Sequence, residues 1–263
     1  MTPVSVLVIT RNEEDNIAAC LESVAWADEI ILVDAESKDR TVELARRFTP
    51  KIFLEAWKGF AEAKAFGVTK ARNEWILWLD ADERVTPELG KEIQEVLLTD
   101  PPVAAYRVAR RAYFLGRWIR HSGWYPGKVT RLFRKDRASF SNDAVHEGLE
   151  IHGETTDLRN DLLHFTDPTL FHYLSKFNRY TSLACGDLVR SGKRFRFSDL
   201  LVRPGWQFLK MYIVKRGFLD GFPGLVLALL SSSYVFTKYA KLWEALEPES
   251  VLPVSAHPSR DNF

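Results

Sequence analysis

Two carboxylates one residue apart, Asp80 and Asp82, follow the apolar run Trp75–Leu79. At a strand end such a pair can share a hard cation, Mg²⁺ or Mn²⁺, with a diphosphate, and the cation neutralises charge on a departing diphosphate. A helix-capping turn ahead of Pro87 is the plainer reading, and a lone D-x-D specifies little. Asp34 closes a second apolar run, Ile30–Val33, where it can accept from a base or ribose donor or serve a turn. Thr10-Arg11-Asn12-Glu13 follows Val4–Ile9; donors there can hold a nucleotide or cap the next helix. Lys64 can reach a phosphate or be an ordinary exposed lysine. In His146-Glu147 a carboxylate can take a proton from an attacking hydroxyl, although spacing alone reads as a surface loop pair. His121, His152, His164 and His172 lack metal-ligand spacing, and no P-loop, G-x-G-x-x-G or G-x-S-x-G occurs.

These groups need a scaffold that gathers them. Strand signals at Val4–Ile9, Glu29–Val33, Lys51–Leu54 and Trp75–Leu79 alternate with helical spacing at Asp15–Val24, from the Ser37/Asp39 caps to Phe48, at Phe60–Lys70 and from Pro87 to Leu98. That alternation predicts an α/β fold with a Rossmann-like, mostly parallel sheet. Ligands of such sheets sit beyond the carboxyl ends of the strands, where Thr10–Glu13, Asp34 and Asp80–Asp82 all fall. Further strands are expected at Ala104–Val108, Lys128–Phe133 and Leu162–Phe165, with irregular chain over Arg110–Gly127. Helices are expected at about 170–190, 199–218 and 223–246. The division is 1–168 (nucleotide half about 1–100, acceptor half about 101–168), a helical region 169–247, and a frayed tail 248–263.

The 263 residues, 46% hydrophobic, exclude a mostly disordered chain. Net charge is +1, so the overall balance points to no nucleic acid. The charge is nonetheless segregated. Residues 106–137 hold ten Lys/Arg and one acid, and residues 176–241 hold twelve Lys/Arg and three acids, leaving 14 basic and 31 acidic residues elsewhere. Two basic, aromatic-rich segments on an acidic body suit an anionic partner: a phosphorylated substrate, a lipid surface, or both. Gly217–Thr237 carries one charge, Asp220, and is long enough to span a bilayer, but Gly221, Pro223, Gly224 and Ser231–Ser233 favour a helix lying on the membrane surface. A soluble helical subdomain is the alternative. The start of the chain reads as a first strand, not a signal peptide, and two distant cysteines suit a reducing cytosol.

Three stretches together identify a family: Ser5-Val-Leu-Val-Ile-Thr-Arg-Asn-Glu-Glu14, Trp26-Ala-Asp-Glu-Ile-Ile-Leu-Val-Asp34 and Trp75-Ile-Leu-Trp-Leu-Asp-Ala-Asp-Glu-Arg84. The chain resembles the family 2 glycosyltransferases. Tyr113–Pro126, Val145-His-Glu147 and Lys215–Gly221 are similar to the branch that adds glucose to lipopolysaccharide core. The resemblance implies a GT-A nucleotide-diphospho-sugar transferase fold with a C-terminal helical, membrane-surface extension. It implies Thr10, Arg11, Asn12 and Glu13 by the nucleotide, Asp34 by uracil or ribose, and Lys64 meeting the nucleotide. Asp80 would face ribose and metal, and Asp82 would bind Mg²⁺ or Mn²⁺. Glu147 would be the base, with His146 second. It further implies inverting transfer from a nucleotide sugar, UDP-glucose by resemblance, to a lipid-linked saccharide on the inner face of the cytoplasmic membrane.

The sequence departs from the family where Ala35-Glu36 replaces the usual Ser-Gly, where Ala65 stands for an Asn, and where Gly127 stands for an Asp. Two other classes compete. A phosphatase would use Asp80 as nucleophile and Asp82 as acid, but that chemistry keeps its D-x-D on the first strand. A non-catalytic nucleotide-sugar binder at the membrane has no need of carboxylates at 80, 82 and 147.

Overall fold

A computed structural model describes residues 2–57, 59–141 and 148–247. The chain forms two compact units, Met1–Thr169 and Leu170–Phe263.

The first unit opens with four strands, β1 (Val4–Thr10), β2 (Glu29–Asp34), β3 (Ile52–Leu54) and β4 (Trp75–Asp80), separated by helices α1 (Ile17–Glu22), α2 (Thr41–Ala45) and α3 (Phe60–Lys70). Runs such as Val-Ser-Val-Leu-Val-Ile are buried on both faces, as parallel central strands require. The strands lie in the order β3-β2-β1-β4, all parallel. One face packs on α1 through Val6, Val8, Leu32, Leu77 and Ile17. The other packs on α3 through Leu7, Ile9, Ile31, Ile76 and Phe66. Helix α3 lies so close that a Cβ on Gly67 would meet Leu7 Cδ1 at 2.3 Å, which leaves glycine the fitting residue.

A short strand β5 (Glu83–Val85) and helix α4 (Pro87–Val96) follow. Thr86 caps α4 by accepting the Leu89 N–H at 3.1 Å, and Pro87 takes the first turn. The sheet continues with β6 (Ala105–Phe114), β7 (Arg117–Trp118), β8 (Gly127–Arg134), β11 (Thr155–Asp157) and β12 (Leu162–Asp167). Strand β8 is antiparallel between β4 and β6, β12 is parallel to β6, and β5 closes the order antiparallel to β12. Strands β9 (Ala138–Ser141) and β10 (Gly148–Ile151) form a separate antiparallel pair.

Local lengths differ from the expectations. Helices α1 and α2 are shorter, because loops stitched by side chains replace their outer turns. The stretch expected to be irregular after Arg110 instead extends β6 to Phe114 and returns as β7, with Tyr113 opposite Trp118. Its Gly-Trp-Arg composition concealed a hairpin whose tip holds Leu115 and Gly116 at positive φ.

The second unit consists of α5 (Leu170–Arg190), α6 (Phe197–Leu209) and α7 (Gly221–Leu246). The helix expected over 199–218 stops at Leu209, passes through a π turn (Lys210–Val214) and a 3-10 turn (Gly217–Asp220), and enters α7. Pro223 falls in the first turn of α7, where its missing N–H costs nothing. Cys185, Tyr239 and Leu242 centre a small core. Lys241 Nζ ties α7 to α5 by donating to Asn178 O and Thr181 Oγ1, both at 2.9 Å. Much apolar surface stays open: Phe171 is 82% exposed, Phe222 74% and Phe197 70%. Both cysteines are free and buried.

Candidate active site

The carboxyl ends of β1, β2 and β4 meet at one edge, as the sequence predicts. The register pairs Thr10 with Asp34 and Ile9 with Asp80. Paired residues share a face and neighbours alternate. Asp80 therefore lies on the α3 face, and Thr10 and Asp34 lie on the opposite one.

Asp34 is fully buried. Its Oδ1 accepts the Ser37 N–H at 2.7 Å and its Oδ2 the Ser37 hydroxyl at 2.5 Å. The loop after β1 is laced to the same turn. Asn12, at φ 53°, donates its N–H to Ser37 Oγ and accepts the Lys38 N–H, each at 2.8 Å. The Glu13 N–H donates to Thr41 Oγ1 at 2.8 Å, while its carboxylate accepts from Asn16. Thr10 Oγ1 and Arg11 Nε are buried without a hydrogen-bond partner among the described residues, so the strand end retains unspent polar capacity.

Around the D-x-D pair the charges form a network. Asp80 Oδ2 accepts from Arg131 Nη2 at 2.5 Å, and the same nitrogen donates to Glu83 Oε1 at 2.6 Å. Glu83, wholly buried, also accepts the Asp80 N–H on Oε2 at 3.0 Å. Arg131 lies 4.3 Å from the Trp78 ring centroid, and Lys64 Nζ lies 3.7 Å from the same ring. Burial alone would raise the Asp80 carboxyl; Arg131 and then Lys64 overcome it and hold the group below the usual carboxylate range. Burial raises the Glu83 carboxyl against the pull of Arg131. Asp80 keeps 37% of its side chain exposed and Asp82 19%, and Asp82 Oδ2 lies 3.3 Å from His164 Nε2.

Lys64 thus joins Asp80, whereas Asp34 is spent on its own turn. His146 and Glu147 lie outside the described residues, as does the tail 248–263. The sequence assigns no role to Arg131, Glu83 or Trp78, and spacing alone sets His164 aside as a metal ligand. The signal available for Arg131 is its place beside Leu132-Phe133 in a strand that also carries Lys128 and Arg134; carrying the register Leu77–Leu132 one residue further sets it across from Trp78. Nothing in local spacing links His164 to Asp82, because β12 brings them together across about eighty residues.

A depression of about 210 Å³ opens beside α3 at the same edge, lined by Ile9, Val33, Ala35, Glu55, Trp57 and Phe66. Its largely apolar lining can take a planar ring. Among the described residues, no three His, Cys, Asp or Glu side chains gather into a ready cation cage. Asp80 and Asp82 nevertheless offer hard oxygens. Mg²⁺-type ions are commonly held by one or two carboxylates with substrate phosphates and water, so the pair fits such an ion together with a diphosphate.

A parallel sheet with D-x-D at the end of its fourth strand, laced loops at the carboxyl edge and a mixed second half define a GT-A glycosyltransferase fold. Residues 5–150 match the model of glycosyl transferase family 2, and the chain belongs to that family. It is 30% identical over 249 residues to the lipopolysaccharide core biosynthesis glycosyltransferase LpsC of Rhizobium meliloti, covering 92% of each chain. An uncharacterized glycosyltransferase of Rickettsia typhi is 31% identical, over 93% of this chain and 88% of its own. Among solved structures, the mannosyltransferase PcManGT of Pyrobaculum calidifontis, in complex with GDP-Man and Mn²⁺, aligns over 93% of this chain and 88% of its own with TM-score 0.52 and 17% identity. The chain is a glycosyltransferase, and family membership displaces the phosphatase and the non-catalytic binder.

Proposed function

We propose that the chain transfers glucose, with inversion, from UDP-glucose to a lipid-linked saccharide of the lipopolysaccharide-core type. One observation carries the reading: at the end of β4, Asp80 is held ionised and in place by Arg131 while part of its side chain stays exposed beside Asp82. The base of the donor takes the depression beside α3, with Trp57 and Phe66 along its walls. Thr10, Arg11, Asn12 and Glu13 form the nucleotide-side loop. Asp34 acts by fixing the 35–37 turn against which the uridine rests. Lys64, on the Asp80 face, meets the diphosphate.

Asp80 and Asp82 would hold Mg²⁺ or Mn²⁺, which when bound supplies Lewis-acid stabilisation of the leaving diphosphate. In a single displacement the acceptor oxygen bonds to the anomeric carbon as the bond from that carbon to the diphosphate oxygen breaks. The acceptor proton passes to the Glu147 carboxylate, with His146 as the second candidate. The helical unit seats the enzyme on the inner face of the cytoplasmic membrane. Its support is the open apolar surface of α5–α7, twelve basic residues against three acids over 176–241, and the stretch Gly217–Leu246, long and apolar enough to cross a membrane with a mean hydropathy of 1.4.

The test is incubation with a panel of nucleotide sugars, Mg²⁺ and membrane lipid extract, read by mass spectrometry. A hexose added to a lipid-linked saccharide from UDP-glucose, and lost in Glu147→Gln with UDP affinity retained, is expected. Transfer from another donor alone would refute the sugar assignment, and full activity in Glu147→Gln would refute the base.

A further inference from the structure

We propose that the acceptor saccharide is anionic and is gripped by a row of ring-stacked guanidinium groups that starts at Asp82. The proposal rests on the transferase reading and adds to it the place and charge of the acceptor. The row follows from strand register. His164 of β12 lies opposite Glu83 of β5 and Ala112 of β6, and Tyr113 of β6 lies opposite Trp118 of β7. The next residue on β12, Phe165, donates its N–H to Asp82 O at 2.9 Å. Phe165 also stacks on Tyr113, with ring centroids 4.9 Å apart and planes 15° apart. Three rings thus lead away from Asp82, one strand at a time, reaching Trp118 roughly 14 Å out.

Each end of this row carries arginine. The Arg84 guanidinium lies 4.1 Å from the Phe165 centroid, and its Nη2 is steadied by Asn16 Oδ1 at 3.2 Å. Arg120 lies 4.3 Å from the Trp118 centroid and is exposed. Arg111 lies 5.0 Å from the Trp118 ring, and Asp161 balances its charge at 2.6 Å. It therefore serves to hold the indole. A guanidinium stacked on a ring has its plane fixed in advance and presents its N–H edge sideways, in the geometry that suits phosphate or carboxylate oxygens. No Asp or Glu occurs between residues 101 and 135, so the hairpin's own side chains carry no negative charge, and Asp161 beside it is neutralised by Arg111. The depression assigned to the donor lies on the β1–β2 side of the D-x-D pair, and the row lies on its β12–β6 side. A saccharide along the row reaches the carboxylates from the side opposite the nucleotide.

The experiment uses the delipidated core oligosaccharide from an LpsC-deficient Rhizobium meliloti strain, titrated calorimetrically into the full chain with UDP and Mn²⁺. It is repeated after phosphatase treatment of the oligosaccharide and after amidation of its carboxylates, which separates the two anion sources. Binding by the wild type is expected, weakened about tenfold in Arg84→Gln and in Arg120→Gln and by at least one of the two treatments. Lys91→Gln, exposed and away from the row, should bind like the wild type, and UDP affinity should be unchanged throughout. No binding by the wild type, equal binding after both treatments, or unaltered affinity in both arginine variants would overturn the proposal. An Arg84→Gln variant that weakens UDP as much as the oligosaccharide would also overturn it, by moving Arg84 to the donor. Failure of UDP itself to bind would defeat the transferase reading and this inference with it.

Discussion

Glu83 holds Asp80 twice, by accepting its N–H and by anchoring the arginine that grips its carboxylate. Removing that arginine strips a wholly buried carboxylate of its close ion pair and leaves it the longer contact to Arg110 at 3.8 Å. Arg131→Met should therefore lower unfolding stability by about 3–5 kcal/mol. Adding Glu83→Gln should return most of that loss, since the uncompensated charge is gone, yet UDP affinity should stay roughly tenfold down because Asp80 has lost its anchor. Urea denaturation and UDP titration of the single and double variants separate the two effects; full recovery of both would deny Arg131 a positioning role. At this scale the sequence displays groups that are close along the chain. The D-x-D pair, the Thr10–Glu13 loop and Asp34 are all legible at strand ends. Arg131 and His164 were not, because each reaches the pair from a strand distant in sequence. The burial of Asp34 against Ser37 is a matter of side-chain direction, which spacing does not encode. Glu36 has a backbone explanation for the family's usual glycine: it sits at φ 55°, in the left-handed region that glycine enters without strain.

The strands that present the site are fastened at their other ends by Glu29, at the start of β2. This buried carboxylate takes hydrogen bonds from Ser5 of β1, from Lys51 ahead of β3, and from the N–H and Nε of Arg72 ahead of β4 at 2.9 and 3.0 Å. Burial alone would raise its carboxyl, but the bonds from Lys51, Ser5 and Arg72 prevail and hold it at about 2, against an ordinary 4.5. A depressed value stabilises the fold above the unfolded pKa, and that stabilisation fades as pH falls from about 4.5 through 2. The stability gap between the wild type and Glu29→Gln should therefore shrink by about 3 kcal/mol as pH drops from 7 to below 2. Denaturant midpoints across that range check it; a gap independent of pH would mean the clamp does not act through ionisation. The four parallel strands are legible from apolar runs buried on both faces. The β6–β7 hairpin was hidden because its arginines and tryptophans break strict alternation, and they do so by stacking on one another across strands.

On the scale of the whole chain, charge and apolar surface are divided between the two units. The basic stretch 106–137 lies in the first unit, with Arg131 on Asp80 and with Arg111 and Arg120 against Trp118. The basic stretch 176–241 lies in the second, among exposed Phe197, Trp206 and Phe222. A surface that joins cations to apolar side chains binds anionic bilayers in a salt-dependent way. The full chain should co-sediment with phosphatidylglycerol-containing vesicles at low salt, less at high salt, and weakly with neutral vesicles. Equal partition among all three would argue for plain insertion of α7. The unequal spread of charge was visible in the sequence, whereas the interrupted path from α6 into α7 was not, since the same apolar residues suit one long helix or two.

The proposed transfer depends on Asp80 and Asp82 holding a divalent ion against a nucleoside diphosphate. The direct measurement is calorimetric titration of UDP with and without Mn²⁺, on the wild type and on Asp82→Asn. UDP should bind the wild type at least tenfold more tightly with Mn²⁺, and Asp82→Asn should remove this gain while keeping the wild-type circular dichroism spectrum. UDP affinity that ignores Mn²⁺ in the wild type, or an undiminished Mn²⁺ effect in the variant, would contradict it.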